Sequence, residues 1–322
     1  MCPLKKPLPL FETFDNDGVG LGVRGDVLYM VYTDPILTYA SAVSETAGVH
    51  YSTVKGVTAN GVVGLDVAVM YTMPNQPGYS FEMGWYHITP TFSSSLSETS
   101  PSGVAPAHSV ALNGFAPGTG KVHASLSINF FDLVIKKQFS FGDWVHVTPT
   151  AGFVGGYMNG KSSAHFDATS GTFQATPTAT VTHAILAYQT KYEGIGLKLG
   201  ADAAFMIGSG FRLITNFYYN VLYGFSHLNL DYVQSPGAYI DGLTGAVSRY
   251  TQHHGRDFFD ALLGFAWASH FSDESFYLDL HAGWRFQTFA NGWQEFEAEF
   301  NNAARDHALQ GQGLQAGVTF RF

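Results

Sequence analysis

Apolar and polar residues along this chain alternate with a period of two. In Val57–Tyr71 the odd positions are Val57, Ala59, Gly61, Val63, Leu65, Val67, Val69 and Tyr71. The even positions include Thr58, Asn60, Gly64 and Asp66. In Phe276–Gln287 the even set is Phe276, Leu278, Leu280, Ala282, Trp284 and Phe286, set against Tyr277, Asp279, His281, Gly283, Arg285 and Gln287. Successive strand side chains point to opposite faces, so each segment predicts a strand with one lipid-like face and one wet face. Tyr79–Thr89, Lys121–Phe130, Glu193–Phe205 and Phe211–Tyr223 repeat the pattern. Asp26–Thr33, Val145–Tyr157 and Phe258–Ala268 follow it more weakly, and the last residues from Leu314 to Phe322 alternate again. In Lys121–Phe130 the apolar set is Val122, Ala124, Leu126, Ile128 and Phe130, which puts His123 on the wet face.

The connectors come in two sizes that take turns. Short ones are Met73–Gly78, Ser140–Asp143, Ile207–Gly210 and Phe271–Glu274. Long, polar, Gly/Pro/Ser-rich ones are 34–56, 92–120, 159–190, 229–255 and 290–307. That alternation is the layout of an all-β, transmembrane, antiparallel up-and-down β-barrel with short periplasmic turns and long extracellular loops. The count is about ten strands, rising to about twelve if Thr176–Tyr188 forms a further hairpin in the wall. Residues 1–23 are expected to be an N-terminal periplasmic segment and 24–322 a single barrel domain.

Composition agrees with this reading. Only 13% of residues are charged and 15% are aromatic, with 36 glycines among 322 residues. Aromatic content of that size excludes a disordered chain. The net charge of -9 excludes a nucleic-acid phosphate binder. No apolar run is long enough for a membrane helix, but barrel strands hide from such a search. A single cysteine, Cys2, excludes an internal disulfide framework or a zinc–cysteine cluster. Met1 is followed by no basic and apolar leader, as expected of a chain whose signal peptide has been removed.

Candidate chemistry lies on the wet faces. An unpaired Arg or Lys facing lipid would cost about 2–4 kcal/mol at mid-membrane. The expected lumen-facing groups are therefore Asp26, Asp66, Glu82, His123, Lys198, Asp202, Arg212, Asp260, Asp279, His281, Arg285 and Arg321. Two uses compete. In a wide, watery lumen such groups select solutes by their field; in a narrow one they pair with each other and fill it. His253, His254 and Asp257 invite comparison with rim hydrolases, but no spacing repeats a catalytic pattern, and neighbours in an extended segment point opposite ways. No catalytic residue, metal site or cofactor is expected. The stretch Gly114–Lys121, "GFAPGTGK", resembles a phosphate-binding loop, yet Phe115 and Val122 occupy places that need Gly and Ser/Thr. It reads as turn chemistry running into a strand.

Several segments in order resemble the Legionella/Chlamydia-type major outer membrane proteins. They are "GDVLY" from Gly25, "FEMGWYHI" from Phe81, "INFFDLVIKKQFSFG" from Ile128, "VTPTAGFVGGYMNG" from Val147, "YEGIGLKLGADAAFMIGSGFRL" from Tyr192, "NVLYGF" from Asn220, "LHAGWRFQTF" from Leu280 and the terminal "LQGQGLQAGVTFRF". The resemblance implies an abundant, surface-exposed porin of a Gram-negative outer membrane that lets small hydrophilic solutes diffuse passively. The alternative is a structural or adhesive barrel with a plugged lumen whose loops bind host or partner molecules. A terminal strand ending in Phe320 and Phe322 resembles the signal read by the barrel-assembly machinery. Other expected partners are outer-membrane lipids, including lipopolysaccharide; a homo-oligomer and host surface molecules stay open. The chain departs from the cysteine-rich chlamydial pattern, so extensive disulfide cross-linking of the envelope is not expected of it.

Overall fold

The computed structural model describes residues 20–33, 38–46, 49–56, 58–59, 61–73, 76, 78–98, 103–106, 112–113, 117–168, 173–175, 179–181, 183–234, 248–271, 276–297 and 303–322. Ten long strands form the wall. They are β1 Gly20–Thr33, β2 Val62–Thr72, β3 Tyr79–Ile88 resuming as Thr91–Glu98, β4 Gly118–Lys137 and β5 Val145–Ala168. The others are β6 His183–Gly208, β7 Phe211–Gln234, β8 Ser248–Phe271, β9 Phe276–Glu297 and β10 Ala303–Arg321. Each pairs antiparallel with its neighbours in sequence, and β10 pairs with β1 to close the ring. Leu21 N donates to Phe322 O at 3.0 Å and Phe322 N to Leu21 O at 2.9 Å. Closure removes the sheet edges that lipid cannot satisfy.

Pro90 interrupts β3 without shifting it: Ile88 faces Ile128 and Thr91 faces Ser125, an unchanged register. Proline lacks only the N–H, and Leu126 N still donates to Pro90 O at 2.9 Å. The short turns are tight. Between β6 and β7, Gly208, Ser209 and Gly210 have φ of 129°, 53° and 83°. At Gly210 a Cβ would stand 2.3 Å from the Ala268 carbonyl oxygen, so glycine is needed there twice over.

Strands β4–β9 run 20 to 26 residues. A tilted strand needs only about 9–11 residues to cross the hydrocarbon. The wall therefore continues well past the membrane on the loop side. The expected long loops 92–120, 159–190, 229–255 and 290–307 are in large part strand, with ladders running through Asn159–Ala168 and His183–Thr190. A hairpin does form within 173–181, where Phe173 pairs with Val181, but it belongs to a separate small sheet. Thr176–Tyr188 therefore adds no wall strand; its end is the upper part of β6. Of the expected N-terminal segment 1–23, residues 20–23 are already β1. Cys2 falls outside the described residues, as do the Phe115 end of the glycine-rich stretch and its neighbours.

Candidate functional site: the barrel interior

The interior has two floors. The lower floor, toward the short turns, is charged. Arg24 on β1 reaches Asp26 at 3.2 Å, Asp66 on β2 at 3.1 Å and Glu82 on β3 at 3.2 Å. Lys136 on β4 holds Glu82 at 2.8 Å and Asp202 on β6 at 3.3 Å. Lys198 on β6 closes on Asp132 of β4 at 2.5 Å. Arg285 on β9 donates to Asp66 at 3.1 Å, to Gln315 Oε1 at 3.1 Å, and through Nε to Asp260 Oδ1 at 2.9 Å. Arg212 pairs with Asp279, and His281 lies between Asp26 at 2.7 Å and Asp279 at 3.5 Å. Arg321 lies over the Tyr277 ring, 5.6 Å from its centroid.

The sequence-expected lumen groups Asp26, Asp66, Glu82, Lys198, Asp202, Arg212, Asp260, Asp279, His281, Arg285 and Arg321 all line one cavity of about 390 Å³. Arg24, Asp132 and Lys136 complete it and escaped the sequence reading. Arg24 shares the parity of Asp26, two residues earlier. Asp132 and Lys136 lie just past Phe130, where the apolar set changes from even to odd positions: Phe131, Leu133 and Ile135 now face outward. That switch of phase was the missed signal.

Inward glycines make room for the network. A Cβ on Gly317 would lie 1.7 Å from Asp26 Oδ1 and 2.7 Å from His281 Nε2, and one on Gly84 would lie 2.7 Å from Asp132 Oδ1. Gly317 stands in register between Asp26 and His281, and Gly84 beside Asp132, so the charged side chains lean over neighbouring strands that supply no side chain at those points.

The upper floor is apolar. Phe130, Phe258 and Phe289 stack across the bore, with ring centroids 5.1 Å apart for Phe130–Phe258, 4.4 Å for Phe258–Phe289 and 6.0 Å for Phe130–Phe289. Tyr32 and Tyr86 both donate to Gln287 Oε1, at 2.7 and 2.8 Å. Around them pack Leu28, Met30, Ile88, Val122, Leu126, Ile128, Met158, Tyr192, Leu222 and Leu309, with Val62 against the cluster, so every wall strand contributes. The expectation for Lys121–Phe130 is therefore inverted: Val122, Ala124, Leu126, Ile128 and Phe130 are buried inside, and His123 is exposed on the outer face, not in the lumen. At this height the outside is water and the inside is core, so the hydrophobic effect turns the strand's apolar side inward.

Phe320 and Phe322 lie on the outer face at the closing edge, with Phe276 stacked on Phe320. His253 packs outside against Phe225 with the rings tilted, whereas His254 turns inward, within 3.0 Å of Arg256 Nε. The two histidines therefore do not converge.

Solved structures similar to this chain include the outer membrane protease OmpT from Escherichia coli, at 8% identity and a TM-score of 0.46, covering 94% of this chain and 96% of that one. Another is the CymD monoaromatic hydrocarbon channel, at 10% identity and a TM-score of 0.30, covering 98% and 90%. A third is a FadL homologue from Pseudomonas aeruginosa, at 9% identity and a TM-score of 0.28, covering 98% and 95%. No curated protein sequence matches the chain. Residues 20–322 match the family described as Legionella pneumophila major outer membrane protein precursor. That match takes in every strand of the closed wall, and the chain thus belongs to the Legionella major outer membrane protein family, a β-barrel of the bacterial outer membrane.

Proposed function

We propose that this protein is a surface-displayed envelope barrel with an occluded lumen, a stalk that holds its loop end clear of the membrane to meet other molecules. The observation that carries this reading is the Phe130–Phe258–Phe289 stack, which bridges the bore from β4 to β8 and β9 within an apolar cluster to which all ten strands contribute. Wide aqueous channels belong to barrels of about 16–18 strands. Planar-bilayer recording of the refolded protein tests the reading. It expects no conductance steps where a control porin opens; regular steps from the wild type would overturn it. Contact through the loop end is tested by replacing 99–116 or 169–182 with a short Gly/Asn linker, which leaves the wall strands paired. Unchanged adhesion to host cells or envelope partners would count against that part.

One observation favours a second reading, passive diffusion of small hydrophilic solutes. The cavity below the ring stack is lined by both signs of charge and extends as far as Met206 and Gly210 at the β6–β7 turn. In that reading the ring layer is the constriction that moves, and mixed signs give little ion selectivity. Conductance in the wild type, raised by Phe258→Ala, distinguishes it. Neither reading makes the barrel an enzyme; the divergence of His253 and His254 supports that view. Its partners here are outer-membrane lipids, the barrel-assembly machinery at Phe320 and Phe322, and whatever the loop end meets.

A further inference from the structure

The outer wall carries an arrangement that an occluded lumen does not require. On β4–β7 the outward face passes from apolar to polar over a step of two residues: Phe131 to Asn129, Ile195 to Glu193 and Phe225 to His227, with Tyr157 at the switch on β5. Just beyond that line, Asn159, Lys191 and His227 stand in direct register on β5, β6 and β7. The next row holds Lys161, Gln189 and Asn229, again in register. Their chain neighbours Gly160, Thr190 and Ser226 are buried, so these six side chains point away from the lumen.

Lys161 faces Gln189 and Lys191 faces Asn159, which makes the two lysines diagonal neighbours, about 7–8 Å apart at their Cα atoms. Gln189 Nε2 donates to Asn159 Oδ1 at 3.0 Å, and His227 Nδ1 lies 3.0 Å from Thr251 Oγ1. Neither lysine has a carboxylate partner among the described residues. The nearest acidic position along β6 is Glu193, one outward step toward the belt. A two-residue step advances a strand by about 7 Å. With strands tilted by roughly 40°, Lys191 lies four residues and about 10 Å beyond Ile195, and Lys161 lies the same distance beyond Tyr157. That is the depth of the outer-leaflet headgroups.

We propose that this band binds the phosphate groups of phosphorylated glycolipid in the outer leaflet. Two ammonium groups at diagonal spacing, flanked by amide donors and an imidazole, match a headgroup carrying separated phosphates; lysine serves each as a point charge. Binding there would anchor the barrel at the height where its wall leaves the membrane.

The test uses the full refolded chain in detergent micelles and native mass spectrometry with purified bisphosphorylated lipid A, its dephosphorylated form and inorganic phosphate. Replacing Lys161 and Lys191 together by Gln is expected to weaken lipid A retention by about tenfold or more, the worth of charge-assisted hydrogen bonds. Replacing both by Arg should restore it. Lys121→Gln, outward but farther from the belt, should change nothing. Equal retention by wild type and the double Gln variant overturns the proposal. So does equal retention of dephosphorylated glycolipid, or displacement of lipid A by an equal concentration of inorganic phosphate.

Discussion

The membrane-level and emergent halves of this barrel share the same strands and reverse the same rule. At membrane level β4 shows Phe131, Leu133 and Ile135 to lipid and turns Asp132 and Lys136 inward. A few residues earlier on the same strand, Val122, Leu126 and Ile128 are inside and Lys121 and His123 are outside. No bulge intervenes; the ladder with β5 is regular from Gly118 to Lys136. The backbone keeps its period of two, and only the chemistry changes phase. Side chains follow the solvent on each side of the wall: hydrocarbon outside below, water outside above.

The halves also differ in how they fill the bore. Below, ion pairs do so, and each carboxylate lies within ion-pair distance of a cation from another strand or from its own. Above, close-packed rings and aliphatic chains do so. Breaking one partner of a buried ionic network strands the others, whereas trimming a core side chain leaves a cavity. Among substitutions that add no charge, the largest effect is therefore expected below. Arg285→Ala leaves Asp66 and Asp260 short of a partner and should cost about 3–5 kcal/mol in urea unfolding followed by gel mobility. A loss below about 1 kcal/mol, the range of exposed pairs, would mean that this floor is hydrated and loosely paired.

Phe258→Ala comes next. Removing the ring that contacts both Phe130 and Phe289 should cost about 3 kcal/mol and create a void in the upper floor. If occlusion rests on this layer, the variant conducts in planar bilayers while the wild type stays silent. Equal silence would place the seal elsewhere in the apolar floor. Smaller again is Gly317→Ala, where the new methyl must push apart Asp26 and His281. Overpacking of this kind costs about 1–3 kcal/mol, and the unfolding midpoint should fall accordingly. The smallest effect is at His123→Ala, which should leave the unfolding midpoint unchanged because the side chain faces water outside the wall. Val122→Asp, the adjacent position, should prevent folding to the heat-modifiable form, since it buries a carboxylate among Leu126, Ile128 and Phe166 without a cation. A reversed order for these neighbours would show that the upper floor is not the core.

The sequence reading was soundest where lipid enforces the pattern. Val63, Leu65, Val67 and Val69 could be assigned outward because an apolar row opposite Asp66 has one stable orientation in a bilayer. It failed at His123 because the same row of alternation, above the membrane, has the opposite stable orientation. Arg24, Asp132 and Lys136 were missed for a related reason: each lies at the margin of a segment defined by its clearest stretch. The long connectors were overestimated because a strand that is polar outside and small or aromatic inside reads as loop when Gly, Ser and Asn dominate it.

By itself the sequence determined the closed, antiparallel, membrane-spanning character of the wall and the residues that cannot face lipid, since period-two alternation and the cost of charge in hydrocarbon are local facts. The tertiary structure alone decided that the wall has ten strands, that it rises beyond the membrane, and that a layer of rings crosses its bore. Those depend on which strand lies opposite which across the bore, and therefore on whether Phe130 meets Phe258 and Phe289 or water. No periodicity within a single strand carries that distance.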